Sequence, residues 1–376
     1  MSKNNKRQRE LLIFVPSIED GGVEKNLFLI SNYFSKKGIV VNIITANKDK
    51  KRFFNKKVNF ISPNFNNLNK KNRFYKTLYC FFLLLKFYIK NRNFLVLSFQ
   101  ANIYAIFFTF FFRIDIITRS NTAPPGWSSN IIKRYIFKLF FKYPKKIIVN
   151  SYDFKKQLDK EFKVSSICIY NPFDNEIVEK KIKEKINDNF FKKGFFNFIN
   201  IGRMTDQKDQ MLLLKAFNNI KNKLKFRLII IGKGKNKILL KKYIHENNLN
   251  NNIKIVNYKK NPYPYLNKSD FFILSSKYEG LPNVLLEAQF LKKTIISTNC
   301  PTGPREILMN GKAGFLFEVG NVSQLEKKII FVSQKKNLKL LKLKSNLGFK
   351  SMDRFDYKVN MNKYLKLVNR FLKFKN

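Results

Sequence analysis

Acidic side chains are scarce in this sequence. Its 376 residues include 25 Asp and Glu against 74 Lys and Arg, so the formal net charge is +49. A charge of this size favours anionic partners: nucleic acid, anionic lipid or phosphorylated ligands. Codon bias is the competing explanation, because Lys, Asn, Ile and Phe are all abundant and all have A/T-rich codons. The even spread of the charge favours codon bias, except between Lys50 and Ile114, where there are thirteen Lys or Arg and no Asp or Glu.

Histidine and cysteine are nearly absent as well. The single histidine, His245, lies in a Lys-rich stretch that has the character of an exposed helix surface, so we assign it no catalytic role. The three cysteines, Cys80, Cys168 and Cys300, are far apart and have no metal-type spacing. The sequence therefore predicts no metal site. Because the chain starts with basic and polar residues instead of a secretory signal, it predicts the reducing cytosol as the compartment.

Long uncharged runs are also few, and one of them needs checking as a membrane span. Residues 94–112 contain no charged side chain over nineteen positions. Ser98, Gln100 and Asn102 interrupt this run, so it divides better into a strand, FLVLSF, and a helix that starts after Ala101. We therefore expect two elements of a globular domain at this place.

Short apolar strands alternate with helical segments along the chain, which is long enough for two domains. Residues 11–15 (LLIFV) predict a strand, and a loop with Gly21-Gly22, a helix and a second strand at 40–45 follow. This order is one βαβ unit, and so predicts a parallel sheet. The glycine pair and the helix start also favour a bound anion, although glycines serve equally well as turns.

The second half of the chain repeats the strand–helix alternation from residue 198 onward. We predict two Rossmann-like, doubly wound α/β domains, at residues 1–180 and 195–350. The charged, Asn-containing segment 174–194 is the expected linker between them. A last basic helix, within residues 353–376, is expected to pack back on the N-terminal domain.

The most informative stretch is SSKYEGLPNVLLE, residues 275–287. It places Glu279 and Glu287 eight positions apart, with a predicted strand (DFFIL) before the first and a predicted helix around the second. In open α/β sheets ligands bind at the carboxyl ends of the strands, where helix starts also offer unpaired N–H groups. The two glutamates therefore fit a polar ligand with several hydroxyls. Spacing alone leaves an alternative, in which Glu279 is a solvated loop residue and Glu287 lies on the helix surface.

Two cations lie in the loop after the first strand of the predicted second domain. Arg203 and Lys208 are five residues apart across a loop–helix junction, so they can converge on one phosphate group. Arginine offers a planar fork of donors, and lysine offers a compact point charge. In a chain with 74 Lys and Arg such a pair also arises by chance.

Several motifs in a fixed order resemble family 4 of the retaining, nucleotide-sugar-dependent glycosyltransferases (glycosyltransferases group 1). The motifs are YEGLPNVLLEA, STNCPTGPREIL, FINIGRMTDQKDQMLLLKAF and LIIIGKG, with a weaker one, SIEDGGVEKN, near the start. They cover most of residues 198–320 and about ten N-terminal residues. The resemblance implies the GT-B fold, two Rossmann-like domains facing a cleft. It also implies transfer of a hexose or N-acetylhexosamine from a UDP-linked donor with retention, without a metal or a cofactor.

The same resemblance implies roles for individual side chains. Arg203 and Lys208 would neutralise the departing nucleotide diphosphate, and Glu279 would bind the transferred sugar, so these three are the catalytic candidates. Glu287 would bind the ribose hydroxyls, and Tyr258 falls where the base is held. The remaining candidates for donor binding share a close backbone approach to the ligand: Gly22, Gly232, Gly280, Leu281, Pro282 and Asn283.

The chain departs from the family in one respect. Many relatives carry a histidine near the sugar in the N-terminal domain, and this chain has none there. Gln100 and Asn102, which are polar and follow a strand, are the candidates to replace it.

Aromatic and basic residues interleave in the N-terminal half. In the predicted helix Asn130–Tyr143, one stripe contains Tyr135, Ile136 and Leu139, and Phe137 and Phe141 lie on the opposite face among lysines. This second face suits a membrane interface with anionic lipid, or else a neighbouring element covers the phenylalanine pair; both interpretations stay open. Together with the resemblance, the basic and aromatic N-terminal half as a whole predicts a lipid-linked oligosaccharide or lipopolysaccharide precursor as acceptor. The protein would then be cytoplasmic and peripheral on the inner face of the cell membrane.

Two other functions compete with this hypothesis. A basic nucleic-acid-binding protein would show steep salt dependence, but the basic residues do not segregate and no nucleic-acid module is recognised, so we expect no nucleic-acid partner. A catalytically inactive relative that serves another transferase at the membrane is the second. The presence of both glutamates and both cations argues against it.

Overall fold

The computed structural model describes residues 9–19, 21–63, 72–121, 131–186 and 188–372, and for residues 131–134 it describes the backbone alone. The chain divides into two units, Met1–Pro172 together with Tyr357–Asn376, and Phe173–Asp356. The expected linker 174–194 begins with a helix and lies inside the second unit, so the division falls at Pro172 and not at residue 180.

The first unit contains a seven-stranded parallel sheet in the order β3-β2-β1-β4-β5-β6-β7. The chain builds outward from β1 in one direction, then returns to add β4 on its other side, which is the topology of a doubly wound sheet. Its strands are β1 (Glu10–Phe14), β2 (Val41–Ile44), β3 (Asn59–Ile61), β4 (Phe94–Ser98), β5 (Ile116–Ser120), β6 (Lys146–Val149) and β7 (Ser166–Cys168). Its helices are α1 (Gly22–Lys36), α2 (Arg73–Lys90), α3 (Asn102–Phe111), α4 (Ile131–Phe140), α5 (Tyr152–Phe162) and the C-terminal helix (Tyr357–Leu372).

Both faces of this sheet are covered, and alternate residues of one strand serve the two sides. Leu11 and Ile13 pack with α1 and the C-terminal helix, whereas Leu12 and Phe14 pack with α2, α3, α4 and α5. Because each strand must be apolar on both sides, it reads as a continuous apolar run, which is why LLIFV was recognisable in the sequence. Among the described residues no helix is long and apolar enough to cross a membrane.

A buried arginine fastens the C-terminal helix to the first unit. Arg119 is fully buried; its Nε donates to Tyr364 Oη at 2.8 Å, and its Nη2 donates to Asn171 Oδ1 at 2.7 Å. The guanidinium also lies 5.3 Å from the ring centroid of Phe99. A desolvated charge needs such partners, so the arginine ties strand β5 to the far end of the chain.

We expect Tyr364→Phe to destabilise the protein by about 1–3 kcal/mol, because Arg119 Nε then stays buried without an acceptor. Chemical denaturation measures this change. Tyr33→Phe is the matched control, since it removes an exposed hydroxyl that donates to Asn362 Oδ1, and its effect should be small. If Tyr364→Phe costs as much in the Arg119→Met background, the hydrogen bond is not the cause.

Helix α4 buries one of its two apolar faces and exposes the other. Phe141 is buried and contacts Phe162, and Phe137 is half-buried against the same core, so a neighbouring element covers the phenylalanine pair. Tyr135, Ile136 and Leu139, which form the other apolar stripe, are exposed instead. Of the two interpretations that the sequence left open, the one in which a neighbouring element covers Phe137 and Phe141 is therefore confirmed. Asn130 and the side chains of residues 131–134, which belong to the predicted helix, lie outside the described residues.

The second unit contains a six-stranded parallel sheet in the order β10-β9-β8-β11-β12-β13. It is again doubly wound, with β8 and β11 as neighbours at the point where the direction of winding reverses. Its strands are β8 (Phe196–Ile201), β9 (Phe226–Gly232), β10 (Ile253–Asn257), β11 (Phe271–Leu274), β12 (Thr294–Thr298) and β13 (Phe315–Phe317). Its helices are α6 (Asn175–Lys181), α7 (Gln210–Asn219), α8 (Lys237–Glu246), α9 (Tyr263–Lys268), α10 (Asn283–Phe290), α11 (Pro304–Ile307), α12 (Val322–Val332) and α13 (Leu338–Lys350). Two Rossmann-like parallel-sheet units confirm the predicted fold class.

Candidate functional site

Two loops meet at the switch point of the second sheet. One follows β8 and the other follows β11, and these strands are hydrogen-bonded neighbours. Three hydrogen bonds join the loops: Ser275 Oγ donates to Lys208 O at 2.7 Å, Lys277 N donates to Gln207 O at 2.8 Å, and Gln207 Nε2 donates to Tyr278 O at 3.0 Å. The segments that the sequence marked separately, 203–208 and 275–287, therefore form one surface. Ligands bind at this position in open α/β sheets.

An ion pair lies at the centre of this surface. Lys208 Nζ contacts Glu279 Oε1, with the two side chains 15% and 8% exposed. A pair this far removed from water is costly to form and is kept only where geometry and hydrogen bonds compensate, so it is a candidate for a functional role. Burial, and after it the charge of Glu279, raise the pKa of the Cys300 thiol to about 12.

The loop that carries Glu279 is fixed from behind. Thr302 Oγ1 donates to the carbonyl oxygen of Glu279 at 2.8 Å. Gly303, in the loop after β12, adopts φ +79°, and a Cβ there would lie 1.9 Å from Gly280 O. Only glycine therefore allows this loop to contact the Gly280 turn. The turn Gly280-Leu281-Pro282 is buried and leads into α10, which begins at Asn283.

Arg203 lies in the same loop as Lys208 but is exposed. Its Nη2 reaches Gln207 Oε1 at 3.5 Å, and its carbonyl oxygen accepts from Gln210 Nε2 at 3.0 Å. The backbone of Arg203 is thus fixed to the start of α7, and its long side chain extends toward water. This combination suits a cation that meets an anionic ligand from outside.

Glu287 lies in α10, one turn beyond the Gly280 turn, and is 2% exposed. Its Oε1 accepts a hydrogen bond from Tyr263 Oη at 3.2 Å, and Tyr263 itself is buried at the start of α9. The alternative interpretation, in which Glu287 is a carboxylate on the helix surface, is therefore wrong, because its side chain is buried. Sequence reasoning missed Tyr263; its position in NPYPY, directly after the strand that ends near Tyr258, was the available signal.

Gly232 is the last residue of β9, and Tyr258 directly follows β10. A Cβ on Gly232 would lie 1.9 Å from Gly202 O, so this glycine is required by the contact between the ends of β8 and β9. Tyr258 is 41% exposed, and Lys233 Nζ lies 4.9 Å from its ring centroid. His245 is exposed at the end of α8.

The remaining predicted residues belong to the first unit and lie at the switch point of its own sheet. Gly22 is the first residue of α1. Glu24, in the first turn, is buried, and its Oε1 accepts from Gln100 Nε2 at 3.3 Å; sequence reasoning passed over Glu24 although it follows the Gly21-Gly22 pair. Asn102 Oδ1 accepts a hydrogen bond from Ser98 Oγ, and Asn102 Nδ2 donates to Arg119 O, so both ends of its amide are hydrogen-bonded. Of the two candidates, Gln100 keeps a buried side-chain oxygen without a hydrogen-bond partner.

In the part of the chain that the structure describes, no group of three or more His, Cys, Asp or Glu is placed to hold a metal ion. Residues 181–347 match the family model described as glycosyl transferases group 1. The match includes both loops, the ion pair and Glu287.

Two curated relatives are each similar to about half of this chain. An uncharacterized glycosyltransferase of Methanocaldococcus jannaschii is 40% identical over 184 residues, which cover 46% of this chain and 44% of the relative. The N-acetylgalactosamine-N,N'-diacetylbacillosaminyl-diphospho-undecaprenol 4-alpha-N-acetylgalactosaminyltransferase of Campylobacter jejuni is 29% identical over 202 residues, covering 52% of this chain and 53% of that protein. The chain thus spans about half of the length of these relatives.

The crystal structure of Anabaena Alr3699/HepE in complex with UDP superposes with a TM-score of 0.78 at 16% identity, covering 96% of this chain and 100% of that one. At this identity the likeness shows the fold alone. The fold is GT-B, with two Rossmann-like domains, as the sequence predicted.

Proposed function

We propose that this protein is a retaining glycosyltransferase of family 4, which moves a hexose or N-acetylhexosamine from a UDP-linked donor to a glycan acceptor. The observation that supports this best is the Lys208–Glu279 pair, with its buried carboxylate, at the switch point of a sheet that lies within the group 1 match. A cation and a carboxylate side by side suit a ligand that carries both phosphates and hydroxyls. The UDP complex of the Anabaena neighbour supports the choice of nucleotide.

In the proposed reaction the two cations stabilise the leaving group. Lys208 has three donors, so it keeps Glu279 in place with one and offers the others to the diphosphate. Arg203, exposed on the same loop, adds its planar fork from the solvent side. Negative charge that develops on the leaving phosphate oxygen then meets preorganised positive charge, and the reaction needs no metal and no cofactor.

The carboxylates orient the two ends of the donor. Glu279 accepts hydrogen bonds from hydroxyls of the transferred sugar, aided by the backbone N–H groups of Gly280, Leu281 and Asn283. Glu287 accepts hydrogen bonds from the ribose hydroxyls, in an orientation that Tyr263 fixes. Gly232 and Tyr258 border the nucleotide. Retention follows if donor and acceptor react on the same face with assistance from the leaving phosphate, which requires no strong base. Gln100 is the residue of the first unit that we propose for the sugar.

The acceptor that we propose is a lipid-linked oligosaccharide or lipopolysaccharide precursor, met by a peripheral cytoplasmic protein at the inner face of the cell membrane. The Campylobacter relative supports this choice, since its name specifies a diphospho-undecaprenol acceptor. The partners are then a nucleotide-sugar donor, a lipid-linked glycan and an anionic membrane surface.

We expect Glu287→Ala and Arg203→Ala each to lower the rate of nucleotide release about 30-fold, since each removes a charged hydrogen-bonding group worth about 2 kcal/mol. The assay incubates the protein with a panel of nucleotide sugars and membrane extract and follows the released nucleotide. Lys235→Met serves as the control, because Lys235 and Asp206 form an exposed pair in the same region.

Full activity in both variants would overturn the assignment of the site. Release from no donor in the panel, combined with salt-dependent binding of nucleic acid, would favour the rival function over this one. Donor binding without turnover in every extract would favour the inactive membrane partner.

A further inference from the structure

Exposed aromatic side chains are concentrated on one side of the first unit. Of the seven phenylalanines that are exposed among the described residues, six belong to α2, to α3 or to Phe112, which follows α3. Single exposed apolar residues are ordinary on protein surfaces, but a contiguous group of this size marks an interaction site.

Helix α2 carries one continuous apolar stripe on its outer side. Phe74, Leu78, Phe82, Leu85 and Ile89 follow one another at intervals of three or four residues, and their exposed fractions run from 37% to 70%. This spacing places all five on one face of the helix. The opposite face, with Thr77, Cys80 and Leu84, is buried in the core. The helix is thus apolar on both faces, and only the inner one is accounted for by the fold.

Helices α3 and α4 extend this surface sideways. Tyr104, Phe107 and Phe111 are exposed along α3, with Tyr135 and Leu139 on α4. Ring contacts hold the three helices side by side. The ring centroids of Phe81 and Phe108 lie 6.0 Å apart between α2 and α3, and those of Phe107 and Phe140 lie 5.8 Å apart between α3 and α4. We call the outer side of α2, α3 and α4 the aromatic face.

The segment that carries the aromatic face is strongly basic. Between Lys50 and Tyr152 the sequence contains a single acidic residue, Asp115, which pairs with Arg9 and Lys145. The exposed cations of this segment include Lys86, Lys90, Arg92, Arg113 and Lys142. The segment therefore combines exposed apolar rings with an excess of exposed positive charge.

We propose that the aromatic face is a docking surface for an anionic lipid bilayer. Rings and aliphatic side chains enter the boundary between headgroups and acyl chains, and the exposed lysines and arginines of the segment contact lipid phosphates. A second copy of the chain fits poorly, because two such basic segments repel each other. Nucleic acid leaves Leu78, Leu85 and Ile89 without a role, since bases stack on rings. The proposal extends the proposed function, because it names the surface that brings the protein to the membrane of its acceptor.

The test is sedimentation of the full-length protein with vesicles of phosphatidylglycerol and phosphatidylcholine, compared with vesicles of phosphatidylcholine alone. We expect binding to the anionic vesicles, weakened about tenfold in the variant L78S/I89S. The matched control is I238S/L343S, which removes one Leu and one Ile that are exposed on α8 and α13 of the second unit. This control should bind as the unaltered chain does.

The role of the basic residues is tested by K86Q/K90Q, for which we expect about tenfold weaker binding to anionic vesicles and a smaller difference between the two vesicle types. The control K339Q/K342Q removes two exposed lysines of the second unit. If each variant and its control lose the same amount of vesicle binding, the binding does not depend on the aromatic face, and the proposal is overturned. Failure of the unaltered chain to sediment with anionic vesicles would do the same, as would concentration-dependent dimers that L78S/I89S abolishes.

Vesicle binding and sugar transfer fail separately. Lys208→Met should bind vesicles normally, because Lys208 belongs to the other unit. L78S/I89S should keep its affinity for the UDP-sugar donor. If no nucleotide sugar is turned over while the vesicle results are as expected, the docking surface is supported and the proposed reaction is refuted. If nucleotide sugar is turned over but anionic vesicles are not bound, the proposed reaction is supported and the docking surface is refuted.

Discussion

Lys208→Met should lower the rate of nucleotide release about 10³-fold while the protein stays folded. The lysine is the cation that pairs with the carboxylate that we assign to the sugar. Removing a preorganised donor to developing charge costs about 10²–10³ in rate. The loss should appear mainly in kcat, because the interaction strengthens as charge builds on the leaving oxygen. Steady-state kinetics of nucleotide release measures it.

The same substitution should also destabilise the protein by about 3 kcal/mol, since Glu279, which is 8% exposed, loses its cationic partner. The double variant Lys208→Met/Glu279→Gln separates the two effects. It should recover most of the stability, because no buried charge remains unpaired, but none of the activity. Recovery of activity in the double variant would mean that the pair is only a structural ion pair.

Gly232→Ala should destabilise the protein by about 3 kcal/mol. The added Cβ would lie 1.9 Å from the carbonyl oxygen of Gly202, and a backbone atom cannot move aside as a flexible side chain does. The ends of β8 and β9 would have to separate, which displaces the loop that carries Arg203. We therefore expect weaker donor binding together with a lower midpoint of chemical denaturation.

Gly202→Ala is the matched control in the same pair of loops. A Cβ at that position meets only the methylene groups of Lys208, at 3.7 Å, so the denaturation midpoint should change little. If the two alanine variants are equally stable, the close approach of the strand ends does not constrain the fold, and the requirement for glycine at 232 would have to come from the ligand.

Much of the fold was visible in the sequence because a doubly wound sheet has a strong local signature. Buried parallel strands are apolar on both faces, so LLIFV and LIII stand out, and the helix Tyr357–Leu372 has a regular period. Elements without this signature were missed. Strand β3 is short and lies at the sheet edge within a Lys/Asn-rich segment, and α6 lies in a charged segment that resembles a linker.

The site residues divide in the same way. The local sequence pattern predicts a strand, a loop and then a helix around Glu279 and Glu287. This order was enough to place both glutamates at the carboxyl end of a strand. Nothing local indicated that Lys208 would reach Glu279 across two loops, or that Tyr263 would contact Glu287. Those contacts depend on which strands become neighbours, and β8 and β11 are more than 65 residues apart in the chain.

Helix α4 shows the limit most clearly. Its sequence has two apolar faces, and periodicity gives no reason to bury one of them and not the other. The neighbouring α5 decided it, because Phe162 provides a partner for Phe141 and leaves Tyr135 and Leu139 outside.

The sequence by itself determined the two parallel-sheet units, the strand ends that carry the acidic and basic candidates, and the acid-free, aromatic-rich stretch of the first unit. The tertiary structure alone decided which candidates touch and which aromatic side chains face water. The physical reason is that hydrophobic period and turn chemistry act over a few residues, whereas ion pairing and the choice of a buried face depend on elements that folding brings together from distant parts of the chain.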